Sequence, residues 1–71
     1  MLPLLVREAA VAVLVVDGHT AEGIAVVLGL STETVRAYLA RVRLKYENAD
    51  RAPGDTPALR SRLIEDGYLE G

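Results

Sequence analysis

Four of the eight cationic side chains of this 71-residue chain fall within one short segment, residues 31–46. These cations are Arg36, Arg41, Arg43 and Lys45. Glu33 is the one acid among them, so the segment carries a local charge of +3. Guanidinium and ammonium groups bind anions, and the planar arginine fork fits phosphate oxygens well. The segment therefore has the side chains for recognising a polyanion, although arginines on a helix can also do no more than solvate its outer face.

The rest of the chain is acidic, which the total charge conceals. Residues 1–30 carry −2 and residues 47–71 carry −3, so the formal net charge is −2. A net acidic charge argues against nucleic-acid binding, because such domains are usually basic. Exposed charges are screened over about 8 Å at physiological salt, however, so a local basic patch can still face a phosphate backbone. A fifth cation, Arg51, follows the segment a few residues later.

Residues for other kinds of chemistry are missing. The chain has no Cys and one His, which excludes disulfides, Cys-based metal sites and His clusters. It shows neither a Ser/His/Asp order nor a glycine loop that could cradle phosphate. We therefore expect no enzyme activity, no metal, no cofactor and no small-molecule substrate. His19 is interpreted as an exposed loop residue, which could touch phosphate when it is protonated.

The apolar first part of the chain is too short for a membrane span. Its longest uncharged run is residues 9–16, whereas a bilayer needs about 20 apolar residues. Arg7 and Glu8 interrupt the run, and no cleavage site of the signal-peptide type follows it. We expect a cytoplasmic domain with no membrane partner. The start lacks a polar lead-in, which is typical of a fragment of a longer regulator.

Periodicity and capping residues predict an all-α domain of four helices. Their expected ranges are residues 3–16, 20–28, 31–46 and 57–66, and the whole of residues 1–71 is interpreted as a single domain. In the first helix, Pro3 would take the first helical position and Gly18 would follow the end. Its apolar face would comprise Leu5, Ala9, Ala12, Val13 and Val16. The alternative is a strand, because residues 11–16 are rich in valine.

The second and third helices have the clearest start signals. Thr20 and Ser31 are typical capping residues, and Gly29 ends the second helix. Ile24, Val27 and Leu28 would form the apolar face of the second helix. In the third helix the predicted buried stripe is Val35, Leu39, Val42 and Tyr46.

The fourth helix is predicted after a polar connection that contains the turn signal Pro53-Gly54-Asp55. Thr56 would cap it, Pro57 would take its first position, and Gly67 would end it. Leu59, Leu63 and Ile64 mark its apolar face and are expected to fill the core.

The spacing between the second and third helices predicts a helix-turn-helix. Ala25 is small enough for the helices to approach closely, and Gly29 suits the backbone of a tight turn. Apolar side chains, Val35 among them, would fill the angle between the helices. In this arrangement the second helix of the pair enters the major groove of DNA.

The stretch HTAEGIAVVLGLSTETVRAYLARVRLKY, residues 19–46, resembles the core of the LuxR-type (GerE-like) DNA-binding domain. This family supplies the C-terminal output domain of bacterial transcription regulators, including many response regulators. The resemblance extends more weakly over about residues 2–69, ending in Glu65-Asp66-Gly67-Tyr68-Leu69. The start departs from the family's usual Thr/Ser-Pro-Arg-Glu opening, since only Pro3 and a shifted Arg7-Glu8 remain. The first helix thus presents extra apolar surface, which could dock on a receiver domain, a second copy or another protein.

The resemblance implies roles for individual residues of the third helix. The positions that face bases are Arg36, Ala37 and Ala40, of which only Arg36 can make a bidentate contact to guanine. The positions implied for phosphate contacts are Thr20, Thr34, Tyr38, Arg41, Arg43 and Lys45. Structural alternatives exist for three of these. Thr34 could support the cap, Tyr38 could be a half-buried wedge, and Lys45 could complement the helix dipole.

The resemblance also implies partners. The fourth helix is the family's dimer interface, and Ala58, Arg60 and Arg62 are its outward residues here. The expected partners are double-stranded DNA and a second copy, with a receiver domain or RNA polymerase as further candidates. One alternative is a module similar to sigma region 4, or an adaptor, whose main partner is RNA polymerase or another regulator. A second alternative is an interaction domain that kept only the fold.

Overall fold

A computed structural model describes residues 2–71, and it places them in four helices. They are α1 (Val6–Val16), α2 (Ala21–Leu28), α3 (Thr32–Asn48) and α4 (Thr56–Glu65). The described residues contain no strand. The all-α prediction with four helices is therefore confirmed, and the strand alternative for residues 11–16 is wrong.

Helix α1 begins three residues later than the sequence predicts. Leu5 takes the capping position, and its backbone N–H donates to the Glu8 carboxylate over 2.9 Å. Pro3 lies outside the helix, so its predicted place at the first helical position is wrong. Glu8 explains the start, because its carboxylate satisfies a backbone donor at the helix end. Gly18 follows the helix with φ +98°, a left-handed conformation that suits glycine.

The α2–α3 connection follows the local signals in the sequence. The Thr20 hydroxyl accepts from the Gly23 N–H over 3.0 Å, and the Ser31 hydroxyl accepts from the Thr34 N–H over 3.1 Å. Gly29 lies between the helices with φ +67°, which a residue with a side chain adopts only with strain. The chain bends by 105° between α2 and α3. This angle lies within the range of a helix-turn-helix.

Helix α4 is capped by Asp55 rather than by Thr56. The Asp55 carboxylate accepts from the Ala58 N–H over 2.8 Å, which places Thr56 and Pro57 in the first turn. The predicted cap was therefore one residue too late. An aspartate with extended backbone at this position satisfies the free N–H of the first turn directly. The helix ends at Glu65, and Gly67 follows with φ +81°.

The core consists of two clusters that share α3 as their common wall. The first cluster comprises Ala12, Val16, Val42, Tyr46, Leu59 and Leu63. The second comprises Val11, Ile24, Ala25 and Val35. Leu39 packs against both from a half-buried position, so the predicted stripe of α3 is confirmed. Since α3 is held from both sides by this stripe, its opposite face is left uncovered.

Three side chains predicted to face the core lie at the surface instead. Leu5 precedes α1, Val27 lies on the outer side of α2, and Ile64 lies on α4 with 37% of its surface exposed. On α1, Val11 and Glu8 are buried in addition to the predicted Ala12 and Val16. The late start of α1 explains part of this difference, because Leu5 lies outside the helix whose face it was expected to share.

No single helix in residues 2–71 is both long and apolar enough to cross a bilayer. Helices α2 and α3 taken together have the length and composition of a span, but the chain bends by 105° between them.

Candidate nucleic-acid interface

The uncovered face of α3 carries the three residues predicted to contact bases, which are Arg36, Ala37 and Ala40. Arg36, Ala40 and Arg43 are separated by four and three residues, so they share one face of the helix. Ala37 lies beside them, and all four are exposed. A shallow, open depression runs along this face, and its lining residues all belong to α3. They are Arg36, Leu39, Ala40, Arg43, Leu44 and Glu47.

Arg36 reaches back across the turn to α2. Its guanidinium donates to the Glu22 carboxylate over 3.1 Å. The two side chains remain 62% and 68% exposed, respectively. Surface ion pairs of this kind contribute at most about 1 kcal/mol. Arg36 can therefore leave Glu22 for a stronger partner at little cost.

Arg41 and Tyr38 stack at the side of the same helix. The Arg41 guanidinium carbon lies 5.5 Å from the centre of the Tyr38 ring, within the range of a cation–π contact. Tyr38 is half-buried and packs against the second core cluster, which matches the wedge interpretation. Arg41 is exposed. The ring therefore gives Arg41 a fixed support while leaving its charge in solvent.

Thr20 and Thr34 occupy the starts of α2 and α3. Thr20 is exposed and uses its oxygen to accept the capping hydrogen bond from Gly23. Thr34 is half-buried and accepts from the Ser31 hydroxyl over 2.8 Å. Thr34 thus supports the cap, as the structural alternative holds. In both residues the hydroxyl hydrogen is still available as a donor.

Lys45 differs from the arginines of α3 in having a buried partner. Its ammonium donates to the Glu8 carboxylate over 2.7 Å and to the Pro3 carbonyl over 3.5 Å. Glu8 is 1% exposed. Burial raises the pKa of Glu8, but its bonds from Lys45 and the Leu5 N–H outweigh burial and hold the pKa below the usual value. Lys45 therefore joins α3 to α1.

Arg51 pairs with carboxylates near the end of the chain instead of joining the exposed cations of α3. Its guanidinium contacts Asp66 over 3.0 Å and Glu65 over 2.8 Å, and it lies 5.4 Å from the centre of the Tyr46 ring. Arg51 therefore does not extend the basic patch of α3. Glu65 and Asp66, two consecutive carboxylates at the end of α4, thus both pair with Arg51.

Asp66 is a buried carboxylate whose role the sequence did not reveal. It is 5% exposed and accepts from the Tyr46 hydroxyl over 3.0 Å. Burial raises the pKa of Asp66, yet the bonds from Tyr46, the Leu2 backbone and Arg51 together lower it below the usual value. Burial and the neighbouring Asp66 raise the pKa of Tyr46. The end of α4 is thereby fixed to the C-terminal half of α3.

Tyr68 forms hydrogen bonds to the segment before α1 at the same end of the domain. Its hydroxyl donates to the Leu2 carbonyl over 2.6 Å and accepts from the Leu4 N–H over 2.7 Å. The segments before α1 and after α4 are therefore joined through one side chain. A sequence signal for this contact was lacking, because it spans 64 and 66 positions.

The predicted dimer residues of α4 make contacts within the chain. Arg60 donates to the Val16 carbonyl over 2.8 Å, at the end of α1. Arg62 donates to the Arg51 carbonyl over 3.0 Å and to Glu65 over 3.3 Å. Ala58 is half-buried. Both arginines thus serve the packing of α4 in the single chain.

The described residues contain no group of three His, Asp or Glu side chains that could hold a metal ion. His19 is exposed in the loop between α1 and α2, as predicted.

Comparison with known protein families gives a match. The family model described as "Bacterial regulatory proteins, luxR family" matches residues 3–52. The matched segment spans α1, α2 and α3 and stops before α4. Neither a curated protein nor a solved structure matches the chain.

Proposed function

Since the chain belongs to the luxR family of bacterial regulatory proteins, a family of DNA-binding helix-turn-helix domains, we propose that it reads double-stranded DNA through α3. In this proposal α3 lies in the major groove and the domain is the output part of a cytoplasmic transcription regulator. One observation carries the proposal. The face of α3 opposite the core is uncovered and presents Arg36 and Arg43 beside two alanines, so a helix-sized groove can receive it.

Direct base recognition is assigned to three residues of that face. Arg36 is the one long side chain among them and can donate both arms of its fork to guanine O6 and N7. Ala37 and Ala40 offer only apolar contact, for which a thymine methyl group is the matching partner. Reading by one arginine implies modest discrimination, so DNA shape and the spacing of half-sites would supply the rest.

Phosphate contacts are assigned to the residues around this face. Arg43 and Arg41 are exposed cations, and Thr20, Thr34 and Tyr38 have hydroxyl groups that can donate. The start of α2 adds free backbone N–H groups beside Thr20, where a helix favours an anion. Lys45 is left out of this set because its ammonium already bonds to the buried Glu8.

A homodimer through α4 remains part of the proposal. Ala58, Arg60 and Arg62 would form its two-fold contact, and two half-sites one helical turn apart would then fit two copies of α3. The hydrogen bonds of Arg60 and Arg62 within the chain require that their outer edges, rather than the whole guanidinium groups, meet the partner.

The test is selection of binding sites from a pool of randomised duplex DNA, followed by titrations of the selected duplex and its single-base variants. We expect Arg36→Ala to reduce the preference for the selected guanine by about 1–3 kcal/mol, because the bidentate contact is lost. Fluorescence anisotropy at several salt concentrations measures the affinities. Arg7→Ala is the matched control, because it removes an exposed arginine from α1 and should leave the base preference unchanged.

The absence of affinity for any duplex at low salt would contradict DNA binding by this domain. In that case the module similar to sigma region 4, or the adaptor, becomes the better proposal, with RNA polymerase or another regulator as its partner. Affinity that Arg36→Ala lowers equally for every sequence would leave DNA binding intact but would remove Arg36 from the base contacts.

A further inference from the structure

The Arg36–Glu22 pair joins the arginine assigned to base recognition to the first turn of α2. The Nη2 atom of Arg36 lies 3.1 Å from the Oε2 atom of Glu22. Another carboxylate is closer along the chain, since the exposed Glu33 lies three residues before Arg36 on α3. Arg36 nevertheless pairs with Glu22, from which it is 14 positions away. The contact therefore depends on the 105° bend between α2 and α3 and not on helical spacing within α3.

The bond to Glu22 leaves most donors of the Arg36 guanidinium free. An arginine side chain has five N–H donors, and the Nη2 atom that reaches Glu22 carries two of them. A bidentate contact to guanine O6 and N7 needs two donors on one edge of the planar group. Arg36 therefore has enough donors to bind guanine while Nη2 keeps its bond to Glu22. The side chain is 62% exposed, so its free donors are accessible to a base.

Glu22 occupies a position where an unpaired carboxylate is unfavourable in a complex with DNA. It lies two residues after Thr20, at the end of α2 that the proposed function sets beside a phosphate. Its side chain is 68% exposed. A carboxylate and a phosphate repel each other, and like charges that meet in an interface lower the affinity. Arg36 offsets this repulsion as long as it stays paired with Glu22.

We propose that Glu22 is a specificity-determining residue, which favours guanine recognition by Arg36 because it disfavours contact of Arg36 with phosphate. This inference rests on the proposed function, in which Arg36 reads a base. At a site with guanine, Arg36 binds the base and Glu22 together. At a site without guanine, Arg36 gains a phosphate only by leaving Glu22 unpaired beside the DNA, so the wrong sequence is bound less tightly. The pair is exposed, which limits the effect on base preference to about two- to fivefold.

The first test compares Glu22→Ala with Glu33→Ala on the selected duplex and on a variant in which the guanine is replaced. Both substitutions remove an exposed acid from the first turn of a helix and introduce a strong helix former, so both chains should stay folded, which circular dichroism checks. Each should raise the affinity for both duplexes, because a charge that repels phosphate is lost. Only Glu22→Ala should also lower the preference for guanine, by about two- to fivefold. Fluorescence anisotropy measures the affinities.

The second test measures the salt dependence of binding to a duplex of random sequence. Glu22→Ala releases Arg36 for a phosphate, so the slope of log affinity against log salt should become steeper by up to about 0.9. The same substitution in a chain that also carries Arg36→Ala should leave the slope unchanged, because the arginine that would bind the phosphate is absent. Glu33→Ala is the control here too and should not alter the slope. A steeper slope that persists without Arg36 would overturn the inference.

The outcomes of these tests separate the role of Glu22 from the proposed function. If Arg36→Ala lowers the preference for guanine and Glu22→Ala does not, α3 reads DNA as proposed and the inference about Glu22 is wrong. An equal loss of preference with Glu22→Ala and Glu33→Ala also overturns it, because the effect then comes from the charge alone. If the chain binds no duplex, or if Arg36→Ala leaves the preference unchanged, the assignment of Arg36 to a base fails and the inference fails with it.

Discussion

The cations of this domain fall into two groups that the sequence does not distinguish. The outer arginines, Arg36, Arg41 and Arg43, lie exposed around the free side of α3. The inner cations, Lys45, Arg51 and Arg62, bond to carboxylates or carbonyls at the end where α1, α3 and α4 meet. Both groups have the residue types that bind phosphate, but only the outer arginines are exposed and without a buried partner.

The difference lies in how far the partner carboxylate is buried. Glu22 pairs with Arg36 from a position that is largely exposed, so water replaces either partner easily. Glu8 and Asp66 pair with Lys45 and Arg51 from positions that solvent hardly reaches. Removal of the cation there leaves a carboxylate that has neither its solvation nor an opposite charge. A cation that pairs with a buried carboxylate therefore stabilises the fold. A cation that pairs with an exposed carboxylate is available for binding.

The largest expected effect follows from breaking the Glu8–Lys45 pair. Glu8→Gln should lower the free energy of unfolding by about 2–3 kcal/mol, at or below the lower end for a broken buried pair because Lys45 is partly exposed. Glu22→Gln makes the same chemical change at an exposed pair and should cost less than about 0.5 kcal/mol. Urea denaturation followed by circular dichroism measures both. Similar losses in the two variants would show that burial of the acid does not separate the two groups.

A smaller effect is expected from the pH dependence of stability. The pKa of Asp66 is lowered in the folded chain, so the unfolded chain takes up the proton first as the pH falls. The contribution of Asp66 is therefore complete above its unfolded pKa of about 4 and is lost as the pH falls through the folded pKa. The loss has a maximum slope of about 1.4 kcal/mol per pH unit for one carboxylate.

Asp66→Asn should accordingly destabilise the domain near neutral pH and bring its stability closer to that of the unmodified chain as the pH falls from about 5 to 3. Tyr46→Phe removes one hydrogen bond that lowers the pKa and keeps the carboxylate, so it should show part of this convergence. Thermal melting at each pH gives the comparison. A constant difference between Asp66→Asn and the unmodified chain over this range would mean that Asp66 does not titrate with folding.

The sequence predicts well those features that depend on near neighbours. Thr20, Ser31 and Gly29 identify the start and end of helices because each acts on backbone groups within three residues. The stripe of α3 is readable because its spacing alone places it on one face. The free face of α3 follows from the same spacing, so the position of Arg36, Ala37 and Ala40 at the surface could be expected.

The roles of the inner cations could not be read in this way. Lys45 and Glu8 are 37 positions apart, and Arg51 and Asp66 are 15 apart, so no periodicity connects them. Glu8 also looks like an interruption of an apolar run, whereas it caps α1 and lies buried. Acidic side chains are expected at the surface unless they are paired, and pairing is a property of the folded chain.

The smallest expected effect concerns the salt dependence of DNA binding and tests the division of the cations directly. Arg43→Gln should reduce the slope of log affinity against log salt by about 0.9, because one phosphate contact releases about that many counterions. Lys45→Gln removes the same charge two residues later and should leave the slope unchanged, while lowering stability because Glu8 loses its partner. Titrations with a duplex of random sequence, at a temperature where both variants are folded, measure the slopes.

An equal reduction of the slope by Lys45→Gln would mean that Lys45 leaves Glu8 for a phosphate on binding. The Glu8–Lys45 pair would then break and leave the buried Glu8 carboxylate without an opposite charge. Contacts in the complex would have to compensate for that loss of free energy. Since Lys45 can change partner only by leaving Glu8 uncompensated, the unchanged slope is the outcome that the burial of Glu8 predicts.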